Sequence, residues 1–219
     1  MAFPMLVSVS RDHIQLPVGS TITLNDQTWA DYEALLTSRR DAAAIKIRFN
    51  AQTQQIVIMA PMAGHGNRID TLVDLVKALL RNQNRDWHSY DPVTLKRFQE
   101  AGAEPDACFY IQNWRAVLGK ERLDLATDPP PDLAIEMDLT SLTDLAVYQV
   151  LAVPEVWIYR QGQLNLYGLT AGGYEKLATS PTFPTVAVKT LLPEYVERAW
   201  VAGSSVALRE FEQSLQTGD

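Results

Sequence analysis

Glu104-Pro105-Asp106-Ala107-Cys108-Phe109-Tyr110-Ile111 and Asp128-Pro129-Pro130-Pro131-Asp132-Leu133-Ala134-Ile135-Glu136-Met137-Asp138 carry one pattern twice: a proline, an aspartate, then strand-forming residues. Proline lacks a backbone donor and fixes the entry of the chain, so it is tolerated where a strand begins and sets the aspartate at the sheet's end. Side chains alternate along a strand, so Asp132, Ala134, Glu136 and Asp138 share one face and Leu133, Ile135 and Met137 the other. The apolar set is expected to face the core, leaving three carboxylates opposite. If the two segments pair antiparallel, Asp106 stands beside Glu136, at about 4.5–5.5 Å. Facing carboxylates repel unless a cation bridges them or one takes up a proton. A hard ion such as Mg²⁺ accepts one or two carboxylates and keeps waters in its other positions. Asp132, about 13 Å from Glu136 along the strand, is too far away to share that ion. In the plainer alternative each Pro-Asp is a turn whose aspartate caps local amides, and the acidic strand face is solvated.

Around these segments the chain reads as a mixture of strands and helices. Ser20 to Leu24 resembles a short strand, and Asn25 or Asp26 can cap a helix with Trp29, Tyr32, Leu35 and Leu36 on one face and a solvated end at Arg39 to Asp41. Ala44 to Phe49 and Gln55 to Met59 alternate as a hairpin. Asn67 can cap the strongest helix, striped by Ile69, Leu72, Val73, Val76, Leu79 and Leu80. Further strands are expected near 87–90, 95–98, 107–111, 132–137, 156–159 and 164–169. A short helix is expected over 142–151 and a helical tail over about 190–219. Residues 1–18 show no period and read as a loose segment. With no repeat and no linker, one domain spanning 1–219 is the simplest organisation.

Composition bounds the function. The chain has 219 residues, 47% hydrophobic and 21% charged, enough for one buried core. No apolar run approaches the roughly 18 residues of a membrane span, and Cys108 is a lone cysteine. Both features fit a cytoplasmic protein. The net charge of −7 argues against strong non-specific nucleic-acid binding, yet an acidic metal site contributes to that charge until its cation arrives.

The two Pro-Asp segments, continued through Gln112-Asn113, together with Val153-Pro154-Glu155-Val156-Trp157, closely resemble the Uma-type restriction endonuclease family of the PD-(D/E)XK nuclease superfamily. The similarity runs from about Thr28 to the C-terminal helix. It implies an α/β (α+β) restriction-endonuclease-like core, a central mixed β-sheet flanked by helices. It also implies Mg²⁺-dependent (or Mn²⁺-dependent) hydrolysis of DNA phosphodiester bonds, without a covalent intermediate. Asp106 and Glu136 match the family's two catalytic, metal-holding carboxylates. A homodimer is expected, because cutting both strands needs two sites and twofold symmetry supplies them.

The chain departs from the pattern at the lysine. Two residues after Glu136 stands Asp138, read as a further metal ligand. The family's usual alternative, four residues before the tyrosine matched by Tyr148, is Asp144. Lys96 is a candidate replacement in space, with a solvated strand lysine as the plainer reading. His65 or Arg68 could contact phosphate, and Asp70 or Asp74 could approach a metal, or all four could be surface and turn residues. Cys108 reads as packing. Two functions therefore compete: an endonuclease, and an impaired relative retaining the fold as a binding or assembly module. A nucleotide or small-molecule hydrolase on the same scaffold stands third.

Overall fold

The computed structural model describes residues 8–10, 13–39, 45–139 and 142–217. Its strands are β1 (Ser8–Ser10), β2 (His13–Gln15), β3 (Thr21–Leu24), β4 (Lys46–Asn50), β5 (Gln55–Met59), β6 (His88–Tyr90), β7 (Leu95–Arg97), β8 (Ala101–Ala103), β9 (Ala107–Tyr110), β10 (Leu133–Met137), β11 (Glu155–Arg160), β12 (Gln163–Thr170) and β13 (Gly173–Leu177). Its helices are α1 (Trp29–Arg39), α2 (Ala63–Asn82), α3 (Leu145–Val150), α4 (Val188–Ala202) and α5 (Ser204–Thr217).

The central sheet has six strands in the order β13-β12-β11-β10-β9-β6. It is mixed: β10 and β11 run parallel, and the other neighbours antiparallel. A parallel pair needs a crossover, and α3 supplies it between β10 and β11. One face packs against α2, α4 and α5 through Leu72, Val76, Leu133, Ile135, Trp157, Leu192 and Phe211. The other face is covered too: Ala134, Val156 and Ile158 meet Val147, Tyr148 and Leu151. This overturns the plainer alternative of a solvated face along Ala134 and Glu136, because α3 and the 95–103 region lie over it. Only its end, at Glu136, stays near solvent. The class expected from the sequence, a mixed sheet flanked by helices, holds.

A second, antiparallel sheet, β3-β5-β4-β8-β7, was foreseen in its hairpin but not in β8. Helix α1 lies on it, with Tyr32, Leu35, Ile47, Phe49, Ile56 and Ile58 buried. Gly102 on β8 leaves room for the Tyr32 ring, which stacks on Phe49 at 5.6 Å.

Several local expectations shift. Thr28, not Asn25 or Asp26, caps α1: its hydroxyl accepts from Asp31 N–H at 3.3 Å, and its own N–H donates to Asp31 Oδ2 at 3.0 Å, a reciprocal capping box. Helix α2 begins at Ala63 rather than Asn67, which draws His65 into the first turn. The six stripe residues of that helix are all buried. The segment read as loose includes an antiparallel pair, β1 with β2. The helical tail is two helices, broken at Gly203, whose φ of 98° suits glycine. Arg40, Asp41 and Ala44 lie outside the described residues. Among the described residues no helix is long and apolar enough to cross a membrane.

Candidate metal and catalytic site

Strands β9 and β10 pair antiparallel with Ile135 opposite Ala107, so the next step of the register sets Glu136 opposite Asp106. The expected juxtaposition is thus present at the end of the ladder, where the proline-initiated strand begins. The second Pro-Asp does something different. Asp132 accepts the N–H groups of Ile111 (2.6 Å) and Gln112 (3.0 Å), closing the far end of β9.

Asp106 is buried, and three donors reach it. His65 Nε2 lies 2.6 Å from Oδ1, Lys46 Nζ bonds the same oxygen, and the Met137 N–H donates to Oδ2 at 2.7 Å. Burial opposes its ionisation. The Lys46 ammonium, followed by His65, outweighs burial and holds the carboxyl below the usual carboxylate range. Glu136 shows the opposite balance. Burial, reinforced by the charge of Asp106 and only partly offset by Lys46, pushes its carboxyl up to about 8. Tyr148, fully buried in α3, donates to Glu136 Oε1 at 2.5 Å. Lys46 Nζ is 4.0 Å from Glu136 Oε2. The two carboxyls are thus driven in opposite directions, Asp106 toward its ionised form and Glu136 toward its protonated form.

Lys46 is the residue that sequence reasoning missed. The family pattern places the lysine after Glu136, and Lys96 is the candidate in space, whereas Lys46 arrives from β4 of the second sheet. Along β4 the residues Ile47 and Phe49 point into the α1 core, so Lys46 and Arg48 point the other way, toward the carboxylates. The alternation was visible in the sequence; what lay across from it was not. His65 was likewise noticed, but its burial depended on where α2 starts.

The remaining candidates are dispersed. Asp138 lines the site, but its carboxylate accepts from the Thr143 N–H (3.0 Å) and hydroxyl (2.7 Å). Asp144, at the position that matches a family lysine, caps α3 through Ala146 N–H and accepts from Asn50 at 3.0 Å. Lys96 pairs with Glu33 at 3.0 Å, away from the carboxylates. Arg68 lies over Trp200 and beside Glu197, while Asp70 and Asp74 are exposed. Cys108 is buried, and burial raises its thiol pKa, as expected of a packing residue.

Two other acidic members of the motifs are structural. Glu104 receives a two-pronged bond from Arg39 (2.6 Å each), with Ile47 N–H and the Thr94 hydroxyl, and so clamps α1 and β4 beside the site. Glu155 binds Trp157 Nε1 at 2.6 Å and Thr182, tying the 182 loop to β11.

Asp106, Glu136, Lys46, Arg48 and Asp138 line a cleft of about 40 Å³, space for an ion or a water. Lys46 also borders a larger groove of about 640 Å³, rimmed by Tyr90, Lys96 and Arg122. Among the described residues no three His, Cys, Asp or Glu side chains form a metal cage. Asp106 and Glu136 are the carboxyl groups of this small, partly open cleft that could hold a divalent cation keeping most of its water, such as Mg²⁺ or Mn²⁺.

A family model described as "Uma2: Putative restriction endonuclease" matches residues 29–201. No curated protein matches the chain. Among solved structures it is similar to a protein of Anabaena variabilis ATCC 29413, described as a putative nuclease belonging to DUF820, at 14% identity. That match covers 68% of this chain and 90% of that one, with a TM-score of 0.49.

Proposed function

The chain belongs to the Uma2 family of restriction-endonuclease-type proteins, and on that premise we propose that it hydrolyses DNA phosphodiester bonds with a divalent cation held by Asp106 and Glu136. The observation that carries this reading is Lys46, which brings to the two carboxylates the cationic group that their own strand lacks. Bound Mg²⁺ or Mn²⁺ would supply an acidified water and offset the charge on the reacting phosphate. The chain's own residues do the rest. His65 and the Met137 N–H fix the orientation of Asp106, and Tyr148 fixes Glu136. Lys46, on a flexible stem, holds a proton beside the attacking water and stabilises negative charge developing on the phosphate. Strand cutting in a duplex calls for two such sites, which a twofold dimer provides.

A second reading, a binding or assembly module on the same fold, draws on the same lysine. Its ammonium already neutralises Asp106, so the pair persists without a metal. One titration separates the two. Plasmid conversion is followed against Mg²⁺ and Mn²⁺ for the wild type, Asp106→Ala, Glu136→Ala and Lys46→Met. The nuclease reading expects cation-dependent nicking or linearisation that each substitution lowers by at least about 100-fold. No cleavage by the wild type at any cation concentration would leave the module.

A further inference from the structure

We propose that Arg48 is the phosphate-binding residue of this cleft, the group that seats the scissile phosphodiester against Asp106 and Glu136; the proposal rests on the nuclease reading above. Arg48 stands two residues beyond Lys46 on β4 and shares its strand face, so both side chains enter the same cleft. Their situations differ. The ammonium of Lys46 is taken up by Asp106. The guanidinium of Arg48 makes one bond among the described residues, from Nη2 to the Leu142 carbonyl at 3.1 Å. A guanidinium offers five N–H donors in a planar fork, so most of this one is unspent at the mouth of the cleft.

Several arginines elsewhere are already matched to carboxylates: Arg39 to Glu104, Arg68 to Glu197, Arg81 to Glu212 and Arg198 to Glu210. Arg48 faces none within ion-pair distance among the described residues. Its charge acts on Glu136 only through space, and the nearest acids already accept other donors, Asp138 from Thr143 and Glu136 from Tyr148. An incoming phosphodiester carries the charge and the two oxygens that the fork fits bidentately. Apart from Lys46, whose ammonium is taken up by Asp106, the other charged residues lining the cleft are the acids Glu104, Asp106, Glu136 and Asp138. The bond to Leu142 holds the fork in place rather than consuming it.

The test is the binding of a fluorescein-labelled DNA duplex, read by anisotropy over a range of salt, with Ca²⁺ in place of Mg²⁺. Wild type, Arg48→Met and Arg48→Lys are compared, each with its thermal midpoint. Arg48→Met is expected to weaken binding about tenfold and to lower the salt slope by about 0.9, the signature of one lost phosphate contact. Arg48→Lys keeps the charge and the slope but not the fork, so part of the affinity stays lost even should the Met variant fail to fold. Wild-type affinity and slope in both variants, with a duplex that the wild type binds and cuts, would overturn the role of Arg48 and leave the nuclease reading standing. A wild type that neither binds nor cuts the duplex would overturn both.

Discussion

Replacing Lys46 by Met tests the centre of the site. The ammonium is bonded to Asp106, and their side chains are 17% and 4% exposed, so the pair is largely shielded from water. Removing one member of a buried pair strands the other, at a cost of about 3–5 kcal/mol. Here Lys46 keeps some solvent contact, and His65 and the Met137 N–H still donate to Asp106. A loss of about 2–3 kcal/mol is therefore expected at neutral pH, a drop in Tm of about 4–12 °C for a chain of this size. The sign with pH follows from Asp106. Its carboxyl is held below the usual 3.8 in the folded protein, so its contribution is present above that value and fades as the medium is acidified through the folded pKa. The deficit of Lys46→Met should shrink at low pH for the same reason. Adding Asp106→Asn should recover most of the loss, giving a coupling of about 2 kcal/mol in a double-mutant cycle. Millimolar Mg²⁺ should raise the midpoint of Lys46→Met more than that of the wild type, since a cation can take the vacated place. The assay is thermal denaturation followed by circular dichroism at several pH values. Additive losses at neutral pH, with no response to Mg²⁺, would refute the view that Lys46 neutralises a cation-binding carboxylate.

Glu136 gives the opposite pH dependence. Its carboxyl is pushed up to about 8 from 4.5, so between those values the folded state holds a proton that the unfolded chain has released. Cation-free stability should fall as pH rises through that window, and Glu136→Gln should abolish the fall, stabilising the protein at pH 8 but not at pH 4; a wild-type slope in the variant's Tm profile would contradict this. Gly102→Ala should cost about 2–3 kcal/mol, because a Cβ there would enter the fully buried Tyr32 ring; chemical denaturation would show it, and an unchanged midpoint would mean that the ring can move. Thr28→Ala should cost about 1 kcal/mol through loss of the α1 cap, measured the same way, whereas Asn25→Ala should cost less.

The alternation of Leu133, Ile135 and Met137, the stripe of α2, and the two Pro-Asp strand entries are local signals, since backbone sterics and side-chain period act over a few residues. They gave the strands and helices one by one and, once β9 and β10 pair antiparallel, the opposition of Asp106 to Glu136; the mixed sheet flanked by helices was implied by the family resemblance. They could not say that α3 would cover the Ala134 face, that Asp138 would be consumed by Thr143, or that α2 would start early enough to bury His65 against Asp106. Above all they could not deliver Lys46. Its strand pattern fixes only which way the side chain points from β4; whether a carboxylate waits there depends on how one sheet packs beside another. That placement is set by a core in which Leu95, Ala101 and Ala103 of the second sheet pack with Cys108, Ala134 and Val156 of the central one, and by the Glu104–Arg39 clamp between elements. Short-range chemistry thus named the acids, and only the long-range packing of two sheets supplied their cation.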